Sequence, residues 1–393
     1  MGFSNGIFND PQKVGKGYRL INVKNMYSGD CIDVDSLSLI DIDEKEFKNN
    51  KVEYGDIFFT RSSLVKEGIA YSNVNLSYRN DLTFDGHLIR MQPCKTTTDP
   101  VFLAYLFKTS SARKQLILGG KTTTMTTIGQ SDIAIVELAL PSYKPEQSQI
   151  GTYFQNLDQL ITLHQAKYNK LVNIKKAMLE KMFPKNGADV PEIRFKGFID
   201  AWEKRKLGEI MNVTSVKRIH QSDWTNSGIR FLRARDIVSA YKNEEPSDYL
   251  YISENKYNEY SIISGKVKPN DLLVTGVGTI GIPLLIADDI PIYFKDGNII
   301  WFKNENAIDG KFFFYSFINN RIQGFIKDSA GTGTVGTYTI DSGKKTPILL
   351  PKDKEQRKIG NYFQNLDKQI TLHQKELEKL KNIKKACLEK MFV

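Results

Sequence analysis

Residues 146–183 read EQSQIGTYFQNLDQLITLHQAKYNKLVNIKKAMLEKMF, and residues 355–392, at a constant offset of 209, read EQRKIGNYFQNLDKQITLHQKELEKLKNIKKACLEKMF. The two agree at 27 of 38 positions, so the chain is one unit written twice. Ile150, Leu157, His164, Leu171 and Met178 fall seven apart, as do Phe154, Ile161, Tyr168, Lys175 and Met182. The second copy repeats the pattern with Ile359, Leu366, His373, Leu380 and Cys387, and with Phe363, Ile370, Leu377, Lys384 and Met391. A seven-residue period at two offsets predicts a coiled-coil seam. Pro145 suits a first helical position, Asp353 with Gln356 resembles a capping box, and Pro184 and Gly187 read as a stop. Each helix is expected to be about 57 Å long.

The partner of each seam is expected to be the other copy. If the residues between the copies form one compact domain, the chain enters and leaves it at nearby points and the helices run antiparallel, the halves related by an approximate two-fold axis. The centre of that arrangement falls near His164 and His373, whose imidazoles are predicted to meet in the seam. A polar residue there sets register more often than it binds a ligand, so no metal is expected.

Working outward, each helix follows a segment of β-branched runs, and the two segments match faintly. GYRLINVKNM (17–26) parallels GIRFLRARDI (228–237), VEYGDIFFTRSS (52–63) parallels VKPNDLLVTGVG (267–278), and FDGHLIR (84–90) parallels FKDGNIIWF (294–302). DPVFLAYLF (99–107) parallels DGKFFFYSF (309–317), a short helix, and the Gly/Thr-rich 119–133 parallels 329–343. The fold class is therefore α+β: two mixed α/β heads separated by two long helices in an antiparallel coiled coil, an internal repeat. The divisions are 1–140 (first head, short at its N-terminus), 141–185 (helix), 186–349 (second head) and 350–393 (helix). Residues 186–209 have no match before Gly17, which leaves the first strand of the first head open. Helices that barely differ carry heads that differ nearly everywhere. That is the expected pattern of a shared frame holding two unlike readers.

A formal charge of +10 and a pI near 9.1 favour a polyanionic partner. Three cysteines without metal-ligand spacing suggest reduced thiols in a cytoplasm. No apolar run approaches a membrane span, and MGFSNGIFNDPQ has no signal-peptide plan, so no membrane partner is expected.

The pattern resembles the DNA specificity subunits of type I restriction–modification systems. The resemblance rests on E-Q-x-x-I-G-x-Y-F-x-x-L-D at 146–158 and 355–367, the endings NIKKAMLEKMF and NIKKACLEKMF, and PEIRFKGF…W…R-K-L-G-E (191–209). IRFLRARDI and DLLVTGVGTIG look like parts of that family's target recognition domains. It implies double-stranded DNA as ligand, read as a split, asymmetric site by the two heads. The helices would act as a ruler, with half-sites about 10 bp apart. It also implies two docked methyltransferase subunits, restriction translocase subunits recruited through them, and no catalytic centre in this chain. S-adenosylmethionine belongs to the partner subunits, so no cofactor is expected here. Lys175, Lys176, Lys384 and Lys385, retained in both helices, are candidate docking residues.

Motifs for chemistry are weak. Gly276, Gly278 and Gly281 spell G-x-G-x-x-G, but Ile282–Ile286 reads as a strand where a phosphate site needs a helix. Gly120-Lys121-Thr122 lacks the first glycine of a phosphate loop. Pro246, Asp248, Glu254 and Lys256 fit a metal-nuclease spacing only loosely, and no Asn-Pro-Pro-aromatic or Asp-Pro-Pro-aromatic motif for base methylation is present. A self-contained restriction enzyme, a methyltransferase fragment and a protein-only scaffold remain the alternatives. The DNA-facing candidates are residues able to pair with base edges or hold phosphates. In the first head they are Arg19, Lys24, Arg61, Ser62, Ser63, Lys66, Lys121, Thr122, Thr123 and Thr124. In the second they are Lys217, Arg218, Arg230, Arg233, Arg235, Thr275, Gly276, Thr279, Thr332, Thr334 and Thr337. Arg230, Arg233 and Arg235 are placed on one predicted strand, facing one way.

Overall fold

The computed structural model describes residues 2–8, 10–330 and 336–392. It divides into two compact units: residues 1–166 with 373–393, and residues 167–372. This division differs from the sequence-based one, because each long helix contributes to both units. The helices span Lys144–Lys181 and Asp353–Lys390.

In the first unit the strands Gly2–Asn5, Leu88–Gln92, Ile57–Thr60 and Ser72–Val74 form an antiparallel sheet in that order. A second sheet joins Val14–Ile21 antiparallel to Ser38–Ile40 and parallel to Leu82–Phe84. The second unit repeats this plan. Asn212–Thr214, Ile299–Lys303, Leu272–Thr275 and Pro283–Leu285 pair in the same order, and Ile229–Leu232 runs parallel to Ile292–Phe294. The strand left open at the start of the first head is Gly2–Asn5, which takes the edge place of Asn212–Thr214. The strand Glu203–Lys206, paired with Pro347–Leu350, has no such counterpart among the described residues of the first unit. Residues 138–141, which correspond to Pro347–Leu350, carry no strand.

The repeated helical motif is explained by what it touches. Gln147 accepts from the Asp99 amide at 2.9 Å, and Gln356 accepts from the Asp309 amide at 3.0 Å. Asp353 and Gln356 therefore form no capping box: Gln356 is turned to the head, and Asp353 pairs with Arg357. Asp99 and Asp309 cap the short helices Pro100–Leu106 and Gly310–Phe317, whose first turns press on Gly151 and Gly360. A Cβ there would lie 2.9 Å from Phe102 N and 2.8 Å from Phe312 N. Phe154 and Phe363 are fully buried. Tyr105 donates to Asp158 at 2.6 Å, and Tyr315 to Asp367 at 2.6 Å. Burial, then the neighbouring carboxylates, push both phenol pKa values far up, so both hydroxyls remain donors.

Within the first unit Phe154 meets Phe392 (ring centroids 5.5 Å apart), Asp158 meets Lys384, and His164 meets His373. Within the second, Lys175 meets Asp367 at 2.6 Å and Phe183 meets Phe363. Rising numbers on one helix meet falling numbers on the other, so the pairing is antiparallel in each unit. Of the seam residues, Phe154, Leu157, Ile359, Phe363 and Leu366 are buried, while Ile150, Ile161, Leu171, Ile370 and Leu380 are half-buried.

Asp56 and Asp271 hold equivalent turns, accepting from the Glu53 and Lys268 amides. Asp271 also accepts from Trp301 and the Asn304 amide. Asp56 is fully buried with Arg90 3.7 Å away and one oxygen unpartnered, and burial pushes its pKa up to about 6. A carboxyl pKa raised by folding stabilises below the unfolded value near 3.8, and that contribution is lost as pH rises through about 6. From about pH 5 to about pH 7.5 this group alone removes about 1.4 kcal/mol. Asp56→Asn is expected to flatten that part of the pH dependence, measured by urea unfolding followed by circular dichroism. An unchanged difference between the two pH values would exclude this assignment.

Candidate nucleic-acid interface

In the first unit the structure gathers Arg61, Ser62, Ser63, Lys66 and Lys121–Thr124 into one surface. Ser62–Ser63, Thr126–Thr127 and Lys121–Thr122 form a small three-stranded sheet. Arg61 is clamped through its backbone: its amide donates to His87 O at 3.0 Å and its carbonyl accepts from the Ile128 amide at 3.0 Å. Its side chain is exposed, as are Lys66, Lys121, Thr122, Thr123 and Thr124, while Ser62 and Ser63 are half-buried. Lys121 sits 3.7 Å from Asp132 with its side chain 79% exposed. His87, held by Asp85 at 2.7 Å, adjoins this surface, as do the exposed Leu64 and Val65. None of these three was singled out from sequence; His87 reaches this surface only through the pairing of its carbonyl with the Arg61 amide.

The second unit builds the same frame from different residues. The Gly276 amide donates to Asn298 O and its carbonyl accepts from the Tyr338 amide, as Arg61 does with His87 and Ile128. Thr60 and Thr275 both use Oγ to accept a backbone amide, from Tyr71 and Ile282. Arg113 donates to the carbonyls of Glu67, Ile69 and Ala70, and Gln323 donates to that of Gly281. Ala70 (φ +49°) and Gly281 (φ +78°) are both left-handed. The G-x-G-x-x-G sequence is thus a turn leading into the strand Pro283–Leu285, with Gly276 required because a Cβ would stand 2.7 Å from Tyr338 O.

This corrects two candidates. Thr275 and Gly276 are buried and occupied within the turn, so neither faces a ligand. Thr279 and Thr337 are exposed, Thr337 bridging to Val277. Thr332 and Thr334 lie outside the described residues.

The arginine trio is corrected as well. The strand ends at Leu232, and a helix begins at Ala234 with Arg233 as its N-cap. Even on a strand, positions 230 and 233 would face opposite sides. Arg233 is bound by Asp236 at 3.0 Å and Asp248 at 2.9 Å with its side chain 17% exposed, while Arg235 pairs with Asp248. Asp248 therefore neutralises these arginines instead of holding a metal. Arg230 lies 3.7 Å over the Tyr249 ring with one buried guanidinium nitrogen unpartnered. Arg218 pairs with Asp296 at 2.8 Å, and Lys217 sits 4.1 Å over the Tyr260 ring; both are exposed. In the first unit Arg19 is half-buried against Asp81 at 3.4 Å and bonds Val34 O, so its guanidinium is engaged within the unit, whereas Lys24 is exposed.

The helix lysines separate into two kinds. Lys175 pairs with Asp367 beside the Tyr315 ring, and Lys384 pairs with Asp158 and Asp30 beside the Tyr105 ring. These two are interior partners of the motif's aspartates, not docking residues. Lys176 and Lys385 are exposed.

The chain matches, over residues 8–173 and 199–382, the family model described as the type I restriction modification DNA specificity domain. It is 24% identical over 408 residues to a Methanocaldococcus jannaschii protein named for the MjaX specificity subunit, covering 98% of this chain and 88% of that one. The type I restriction enzyme MjaVIII specificity subunit of the same organism is 26% identical over 274 residues, 64% of this chain and 60% of the relative. Among solved structures, the type I restriction-modification S subunit from M. genitalium superposes with a TM-score of 0.59 at 16% identity, covering 100% of this chain and 93% of that one, which supports the fold. Two matched segments, one in each half and together spanning most of the residues, place this chain in the type I restriction–modification DNA specificity family.

Proposed function

We propose that this protein is the DNA-reading subunit of a type I restriction–modification complex, binding double-stranded DNA through both heads at a bipartite, asymmetric site. It docks two methyltransferase subunits and, through them, the restriction translocase subunits, in the cytoplasm. Methyl transfer with S-adenosylmethionine and cleavage belong to those partners. The observation that carries this reading is one backbone frame presenting two unlike surfaces: Arg61 is clamped in the first unit where Gly276 is clamped in the second. A frame repeated with its exposed residues changed suits two different half-sites, since backbone contacts position a reader and side chains specify the sequence. Lys176 and Lys385, exposed in both helix copies, remain the candidates for methyltransferase docking.

The test is an exchange of residues 210–345 for the same region of a relative, followed by methylome sequencing of a host carrying the assembled complex. One half-site is expected to change and the other to persist. A change in both half-sites, or in neither, would contradict reading by separate heads.

A further inference from the structure

His164 on the first long helix and His373 and Glu376 on the second converge within the first unit. The two Nδ1 atoms are 3.2 Å apart, and Glu376 Oε2 lies 3.0 Å from Nδ1 of His164 and 3.5 Å from Nδ1 of His373. Among the described residues, no other three His, Cys, Asp or Glu side chains bring ligand atoms within 4.8 Å of one another. The antiparallel pairing opposes the two histidines, and Glu376, three residues on from His373, shares its helix face.

The triangle has the dimensions of a metal-ligand set. A tetrahedral zinc ion with bonds of about 2.0–2.1 Å holds its ligand atoms about 3.3 Å apart. An ion at that distance from all three atoms would sit about 0.8 Å out of their plane. Protons serve the arrangement less well. Two Nδ1–H groups cannot face each other at 3.2 Å, so a neutral pair has a single Nδ1–H in the triangle, and the other Nδ1 turns its lone pair towards the carboxylate oxygen. The imidazoles are 19% and 20% exposed and Glu376 is 43% exposed, so one side of the triangle is open to a solvent ligand.

We propose that His164, His373 and Glu376 bind one divalent transition-metal ion of the zinc class, with water as fourth ligand. Two imidazoles and a carboxylate suit such an ion better than magnesium or calcium, which take oxygen ligands. The offset of 209 that converts His164 to His373 converts Glu376 to Lys167. The carboxylate therefore comes from one helix only and the stoichiometry is one ion per chain. Because the ligands come from both helices, the ion ties Lys144–Lys181 to Asp353–Lys390 inside this unit.

The experiment uses the full chain, without an affinity tag and stripped by chelator, titrated with Co(II) and then Zn(II). Expected are the visible d–d bands of four-coordinate Co(II), saturating at one per chain, displaced by Zn(II), with Tm raised in Zn(II). Glu376→Gln, at a half-exposed position, is expected to keep the metal-free Tm and weaken binding by more than about tenfold, since even outer-shell partners of metal ligands matter that much. His373→Ala is expected to abolish the bands. No bands at equimolar Co(II), or bands that both variants leave unchanged, would overturn the site.

Discussion

Arg194→Ala is expected to destabilise the second unit by about 3 kcal/mol. Arg194 Nε and Nη2 hold the two oxygens of Glu355 at 2.6 and 2.8 Å, and the Glu355 side chain is 1% exposed. Removing the guanidinium leaves a carboxylate with neither water nor a partner, and breaking a buried pair in that way costs about 3–5 kcal/mol. Replacing both partners, as Arg194→Met with Glu355→Gln, should cost less than the single change, because no uncompensated charge remains. Glu146 stands at the same position of the first motif and is exposed, so Glu146→Ala should fall within about 0.5 kcal/mol of the parent. All three tryptophans, Trp202, Trp224 and Trp301, lie in the second unit. Urea unfolding followed by tryptophan fluorescence therefore reports on that unit. A loss below about 1 kcal/mol for Arg194→Ala would show that Glu355 finds water or another donor.

Arg61→Ala combined with Lys121→Ala is expected to weaken DNA binding by the assembled methyltransferase complex roughly 10- to 100-fold, about 1.4–2.8 kcal/mol. It should also lower the slope of log affinity against log salt by about 1–2. Arg61 adjoins the small sheet of the first unit and Lys121 lies in it, both with exposed side chains, so folding should be little affected. The readout is a fluorescence-anisotropy salt series on DNA carrying the methylated site, with Tm as control. Arg19→Ala is the contrast: its guanidinium serves Asp81 and Val34, so it should lower stability more than it lowers the salt slope. If the double variant keeps both affinity and slope, this face of the first head does not meet phosphate.

The helices and the plan of the heads were legible because their causes are local or repeated. Phe154, Leu157, Phe363 and Leu366 declare the seam by period. Gln147, Gly151 and Asp158 recur in the second copy at the same offset, but only the structure shows that they touch the head. The DNA-facing residues were much less legible. Arg233 and Thr275 carry the right chemistry, but whether a polar group faces outward depends on what the fold sets beside it. Asp248 reaches Arg233 across 15 residues, and Thr275 is turned inward by the amide of Ile282. Lys175 and Lys384 were misread for the same reason: their aspartates lie on the other helix.

Periodicity and duplication in the chain alone determined the paired helices and two heads of one plan. Those follow from patterns that any buried seam or repeated unit must write into the residue order. Tertiary structure decided which charges are spent internally, where Arg61 and Lys121 come together, and that His164, His373 and Glu376 converge. Each of these is a meeting of side chains far apart in sequence, and only the packed backbone sets such distances.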